Sequence, residues 1–282
     1  MANFKKELVG LLGQPVAENP TEVMADAAFA SMGLDWRFLT LEVAPEDLGH
    51  AVQGLRACNF RGFLCTIPHK IHVMEFLDRL SPAAEAIGAV NCVGIRDGIL
   101  TGDNTDGKGF LQSVEAVRPA QGLRAVILGA GGAARAIGVE LAMAGADHFT
   151  IVNRSAHRGE DLARHIEKTT GVPCEFDLLV GDYEAPEGTK LLVNATSIGL
   201  YPDIDARVPV NLDRLHPEVI VCDVIPNPPR TRLIREAEAR GHFVLDGLGM
   251  LVNQGVIGLR LWTGREPDPQ VMRQALEDVF SS

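Results

Sequence analysis

The chain has 282 residues, of which 46% are hydrophobic and 22% charged, the mix of a folded globular protein; low-complexity and collagen-like scaffolds are excluded. Lys and Arg number 26 against 37 Asp and Glu, a balance of −11, so there is no diffuse cationic surface for nucleic acid or an anionic membrane, and any anionic ligand must be met by local cations. At about 100–200 residues per domain, the length predicts two cores.

In chain order, residues 8–12, 36–43 and 62–66 read as short strands, separated by helical patterns over 22–32 and 45–57. That alternation is β-α-β-α-β and predicts a parallel sheet. Residues 92–96 and 99–102 flank Asp97-Gly98, a dipeptide suited to a two-residue hairpin turn, so the sheet gains an antiparallel edge. A helix follows over about 105–117.

Pro119, Gln121 and Gly122 break the pattern, and a second alternation starts at Arg124. Strands are expected at 124–128, 148–152, 190–193, 219–224 and 242–245, with helices over 155–169 and 231–240, as in a doubly wound sheet. Beyond Gly249 the chain reads as helical, broken near Thr263-Gly264 and Pro267. The expected fold is thus α/β in two domains: an N-terminal α/β substrate domain over 1–104, a Rossmann-type dinucleotide-binding domain over 105–248, and C-terminal helices over 249–282 that return to the first.

Within the apolar stretch 125–146, Arg135 and Glu140 interrupt too early for the roughly 20 uncharged residues of a bilayer span. The N-terminus shows no secretory leader pattern. Cys58, Cys65, Cys92, Cys174 and Cys222 are odd in number and lack C-x-x-C or metal-ligand spacing, which fits reduced thiols in a cytoplasm and no metal site.

The sharpest local signal is Gly129-Ala130-Gly131-Gly132-Ala133-Ala134, a G-x-G-x-x-A between an expected strand and an expected helix. Gly129 allows the tight turn, Gly131 lets backbone approach a pyrophosphate, and Ala134 lets helix and strand pack closely. An NAD site usually carries an acidic residue about 20 positions on. Here that place holds Asn153, Arg154 and Ser155, with Arg158 four residues after Arg154, a pair of guanidinium groups suited to a 2′-phosphate. NADP is the expected cofactor, with NAD the alternative.

The sequence resembles the shikimate/quinate dehydrogenase family through an ordered series of motifs along nearly its whole length. They are Thr66-Ile67-Pro68-His69-Lys70, Ile87-Gly88-Ala89-Val90-Asn91, Asp103-Asn104-Thr105-Asp106-Gly107, the glycine turn at 129–133, Asn153-Arg154-Ser155, the Asn194-to-Leu200 stretch and the run from Gly247 to Gln254. The resemblance implies an active site between a substrate domain and a cofactor domain, with Lys70 and Asp106 as catalytic pair. A lysine beside a carboxylate can exchange a hydroxyl proton while hydride moves to or from the nicotinamide. It further implies that Thr66, Asn91 and Gln254 hydrogen-bond substrate oxygens, and that Thr196, Val224, Gly247 and Met250 line the nicotinamide side.

One loop departs from the pattern. Where the family reads G-x-P-V-x-H-S-x-S-P, this chain has Gly13-Gln14-Pro15-Val16-Ala17-Glu18-Asn19-Pro20-Thr21-Glu22, so Asn19 and Thr21 stand at the serines that hold the substrate carboxylate. Leu64 and Pro226 replace a usual Asn and Tyr. The expected activity is therefore NAD(P)-dependent hydride transfer at a carbinol of a shikimate- or quinate-like hydroxy acid, with shikimate itself a poor substrate. The alternatives are an NAD-dependent quinate/shikimate dehydrogenase proper and a silent nucleotide-binding regulator, the latter disfavoured because nucleotide sensing has no need of Lys70 with Asp106. Expected partners are the small-molecule substrate and, as an open option, a second copy of the chain.

Overall fold

Two sheets form, each around its own core. The computed structural model describes residues 4–280, and the chain divides into one unit of Met1–Thr105 with Val252–Ser282 and another of Asp106–Leu251.

The first unit runs β1 (Glu7–Gly13), α1 (Thr21–Ser31), β2 (Trp36–Glu42), α2 (Leu48–Ala57), β3 (Gly62–Cys65), β4 (Arg79–Leu80), α3 (Pro82–Ile87), β5 (Cys92–Arg96) and β6 (Ile99–Asp103). Its strand order is β2-β1-β3-β5-β6-β4. β1 lies parallel to β2 and β3, whereas β5 is antiparallel to β3 and β6. The hairpin turn between β5 and β6 takes positive φ at both Asp97 (52°) and Gly98 (74°), the backbone form that the strand twist requires. Every residue of β3 is buried, as expected for a central strand covered on both faces. Leu12, Val52, Phe63, Val93 and Leu100 are all 0% exposed in the core on one side, each contributing about 1.5–3 kcal/mol by leaving water.

The second unit runs α4 (Thr105–Glu115, its first residue still counted with the first unit), β7 (Arg124–Leu128), α5 (Gly132–Met143), β8 (His148–Asn153), α6 (Ala156–Thr170), β9 (Cys174–Leu178), β10 (Leu191–Asn194), β11 (Ile220–Asp223), α7 (Arg232–Glu238) and β12 (Val244–Leu245). All its strands are parallel, in the order β12-β11-β10-β7-β8-β9. Chain direction across the sheet reverses between β7 and β10, so the loops leaving those two strands flank a switch point, the usual ligand position in such sheets.

The chain ends with α8 (Gly247–Thr263) and α9 (Pro269–Phe280). From Val252 onward these helices belong to the first unit. There α9 packs on α1, and the buried Trp262 indole donates to Val93 O at 3.0 Å. Periodicity did not announce β9, α3 or β4. β9 is a sheet edge with only Cys174 buried, and α3 is a short turn of helix started by the Ser81 hydroxyl, which accepts from Ala84 N.

Candidate active site

At the carboxyl end of β7, Gly129 adopts φ 109°. A Cβ there would stand 2.8 Å from Ala195 O, so only glycine lets this turn pass beside the loop leaving β10. Gly131 precedes α5 and makes no side-chain cap, and a Cβ on Gly131 or Gly132 would meet nothing within 4 Å. The first-turn N–H groups of α5 are therefore approachable, the form of a pyrophosphate cradle. Ala134 is fully buried beneath it.

The next helix repeats the arrangement. Ser155 precedes α6, also without a side-chain cap, and Asn153 shapes that start by donating to Ser155 O at 2.9 Å. Arg154 and Arg158 are exposed, and Arg158 reaches back to Ala130 O at 3.4 Å. Two helix N-termini and two guanidinium groups thus serve the same end of the sheet, a donor set that fits a dinucleotide with a further phosphate on its ribose. Thr196 and Val224, after β10 and β11, are half-buried; Gly247 and Met250, in the first turn of α8, are buried.

In the first unit, β3 delivers the turn Thr66–Lys70 to the carboxyl end of its sheet. Thr66 N donates to Leu12 O at 2.9 Å, His69 N to Thr66 O at 2.9 Å and Val90 N to Lys70 O at 2.7 Å, so the turn is tied both to β1 and to the segment carrying Asn91. Lys70 is half-buried. Burial pushes the neighbouring Cys65 thiol up to about 12, against the opposing pull of the Lys70 ammonium. Asp106, half-buried, lies in the first turn of α4, where the helix dipole favours a carboxylate.

Asn91 and Gln254, 3% and 4% exposed, meet through a residue that the sequence reading left out. Thr105 N donates to Asn91 Oδ1 at 2.6 Å, Asn91 Nδ2 to Thr105 Oγ1 at 3.0 Å, and Thr105 Oγ1 to Gln254 Oε1 at 3.4 Å. Its signal was present in the Asp103–Gly107 motif, where attention went to Asp106 alone. Buried amides held this way have fixed donor and acceptor directions, which suits them to read hydroxyl groups.

The N-terminal loop is built differently from a pair of presented hydroxyls. Asn19 Oδ1 accepts from Thr21 N at 3.0 Å, so the amide oxygen is engaged in starting α1. Thr21 is 4% exposed and turns toward the apolar interior, where Met24, Phe38, Leu64, Trp262 and Met272 surround it. Glu18 is exposed, and Glu22 Oε2 accepts from the Thr40 hydroxyl of β2 at 2.7 Å, so Glu22 is directed along the sheet.

Residues 11–93 match the family model of the shikimate dehydrogenase substrate binding domain, 113–181 that of shikimate / quinate 5-dehydrogenase, and 247–277 the shikimate 5′-dehydrogenase C-terminal domain. The shikimate dehydrogenase (NADP(+)) of Methanopyrus kandleri is 44% identical over 273 residues, 95% of this chain and 94% of its own. Among solved structures, the ligand-free 5-ketofructose reductase of a Gluconobacter species superposes with TM-score 0.95 at 50% identity, covering 99% of this chain and 100% of that one. A shikimate dehydrogenase in complex with NADP+ does so with TM-score 0.93 at 37% identity, covering 100% and 98%. Fold, glycine turn and these matches together define a nicotinamide-dependent oxidoreductase acting on an alcohol or its ketone. The chain belongs to the shikimate dehydrogenase family.

Proposed function

We propose that this enzyme interconverts a ketone and a carbinol on a small polyhydroxylated substrate with NADP, and that its preferred substrate carries no carboxylate. The observation that carries the second part is the loop after β1, where Thr21 is 4% exposed and Asn19 Oδ1 is engaged by Thr21 N, so that no pair of hydroxyls is presented. A carboxylate placed at that loop would lose water without gaining two hydroxyl donors, at a cost of about 1–3 kcal/mol for each mismatched group. A neutral ketose meets no such cost. The 5-ketofructose reductase that this chain resembles is named for a substrate of that kind.

In the reductive direction a bound nicotinamide supplies the hydride. Lys70 donates a proton from its ammonium to the carbonyl oxygen as the carbinol forms, and takes it back in oxidation. Asp106 holds that lysine and the reacting oxygen in line. Thr66, Asn91 and Gln254 orient the other oxygens, with Thr105 fixing the two amides. At the cofactor, the N–H groups after Gly131 receive the pyrophosphate, Arg154 and Arg158 the 2′-phosphate, and Thr196, Val224, Gly247 and Met250 bound the nicotinamide.

A second reading takes shikimate itself as substrate, favoured by the 44% identity to an archaeal shikimate dehydrogenase over 95% of the chain. Absorbance of the reduced nicotinamide separates the two. We expect 5-ketofructose to be consumed with NADPH, while shikimate and quinate leave NADP+ almost unreduced; turnover with shikimate and none with the ketose would reverse the assignment.

A further inference from the structure

One buried carboxylate of the second unit has all its described partners at the cofactor end of the sheet. Asp223 closes β11 and is 2% exposed. Its Oδ1 accepts from Asn194 Nδ2 at 3.1 Å and from Ile225 N at 3.1 Å, and its Oδ2 accepts from the Thr231 hydroxyl at 2.8 Å. Asn194, which closes β10, passes the constraint onward: its Oδ1 accepts from the Thr196 hydroxyl at 2.6 Å and from Thr196 N at 3.2 Å. Thr196 Oγ1 in turn accepts from Ile198 N at 3.1 Å. Val224 N donates to Asn194 O at 3.1 Å, so the two strand ends are linked through backbone as well.

A carboxylate is an expensive choice for this position, since an aliphatic residue would pack the end of a buried strand without the cost of desolvating a charge. Burial does push the Asp223 carboxyl up to about 6, although Thr231, Ile225 and Asn194 pull the other way. What the carboxylate provides is four acceptor sites and no donor. Three donors from three segments can therefore converge on it at once, which neither an amide nor a hydroxyl at the same place would allow.

We propose that Asp223 is the positioning residue of the nicotinamide half of the site: it locks the loop leaving β10 to the loop leaving β11, so that Thr196 and Val224 are presented in one fixed arrangement. The inference rests on the NADP reading above. It also separates the two halves of the dinucleotide, because the adenosine half is met by the Gly129 turn, Arg154 and Arg158, none of which bonds to Asp223.

Calorimetric titration with NADP+ and with 2′,5′-adenosine bisphosphate, which lacks the nicotinamide half, tests this. For Asp223→Asn we expect NADP+ to bind about tenfold more weakly, the equivalent of losing roughly one hydrogen bond to a charged group, with the bisphosphate within about twofold of wild type. Thr231→Val keeps the side-chain shape and removes one donor, and should show the same split at about threefold; it decides the matter if Asp223→Asn does not fold. Equal weakening of both probes, or no weakening of NADP+, overturns the proposal. Wild-type protein that binds the 2′,5′-bisphosphate no better than ADP overturns the NADP reading instead, and does so before any variant is made.

Discussion

The turn after β7 and the loop after β1 perform the same structural task, carrying the chain from the carboxyl end of a strand into a helix, by opposite means. After β7 the work is done by backbone: Gly129 at positive φ, Gly131 with open space around it, and N–H groups left uncapped. After β1 it is done by side chains: Asn19 Oδ1 accepts from Thr21 N, and Thr21 turns into the apolar interior beside Leu64. A backbone site cannot be retuned by one substitution without losing its turn, whereas a side-chain site can change its ligand one residue at a time. That contrast explains why the glycine turn after β7 keeps the family pattern while the loop after β1 departs from it.

The largest expected effect tests the chemistry common to both. Lys70→Ala should lower turnover by about two to four orders of magnitude while dinucleotide affinity stays near wild type, as befits loss of a positioned acid–base group; stopped-flow turnover beside a binding titration gives both numbers. Next, replacing Arg154 and Arg158 together by Ala should weaken NADP+ binding by about 100-fold, from roughly 1.5 kcal/mol for each hydrogen bond to a charged group, and leave NAD+ unchanged. A wild-type protein that prefers NAD+ contradicts this directly.

Asp223 makes a prediction about stability. Its carboxyl titrates at about 6 when folded against an ordinary 3.8, so the folded state holds the proton more tightly than the unfolded chain. Its stabilising contribution is complete below the ordinary value and is lost as pH rises through about 6, an effect of roughly 2–3 kcal/mol. Denaturant unfolding at pH 4 and pH 7 should therefore show wild-type stability, measured relative to Asp223→Asn, falling with rising pH by about that amount; a pH-independent difference would count against it. The smallest expected effect is on the side-chain loop: Asn19→Ser with Thr21→Ser should raise kcat/KM for shikimate by at least about tenfold, since each well-matched polar group is worth about 1–3 kcal/mol. No gain would mean that positions 19 and 21 do not set the specificity.

Most of what positions the site could be read from residue order. The Asp97-Gly98 hairpin, the alternation around β1, β2 and β3, and the glycine turn each have a local cause that survives without neighbours. What escaped depends on partners distant in sequence. Thr105 shows its role only when Asn91 and Gln254 converge on it from 14 and 149 residues away. Asp223 stands just before a segment read for Val224 and for the missing tyrosine at Pro226, and its meaning comes from Asn194 and Thr231. β9 escaped for another reason: a sheet edge with a single buried residue has no period-two signature to find.

The first unit is made of two pieces of chain, Met1–Thr105 and Val252–Ser282, with the other unit written between them. Met24 of α1 and Met272 of α9 close on Gly255, and Trp262 donates to Val93, so this core is shared by residues made before the dinucleotide unit and residues made after it. On the ribosome the dinucleotide unit is made before α9, so the substrate unit must wait with part of its apolar surface uncovered until that helix has emerged. Removal of α9 should thus strike the unit whose first strand is β1.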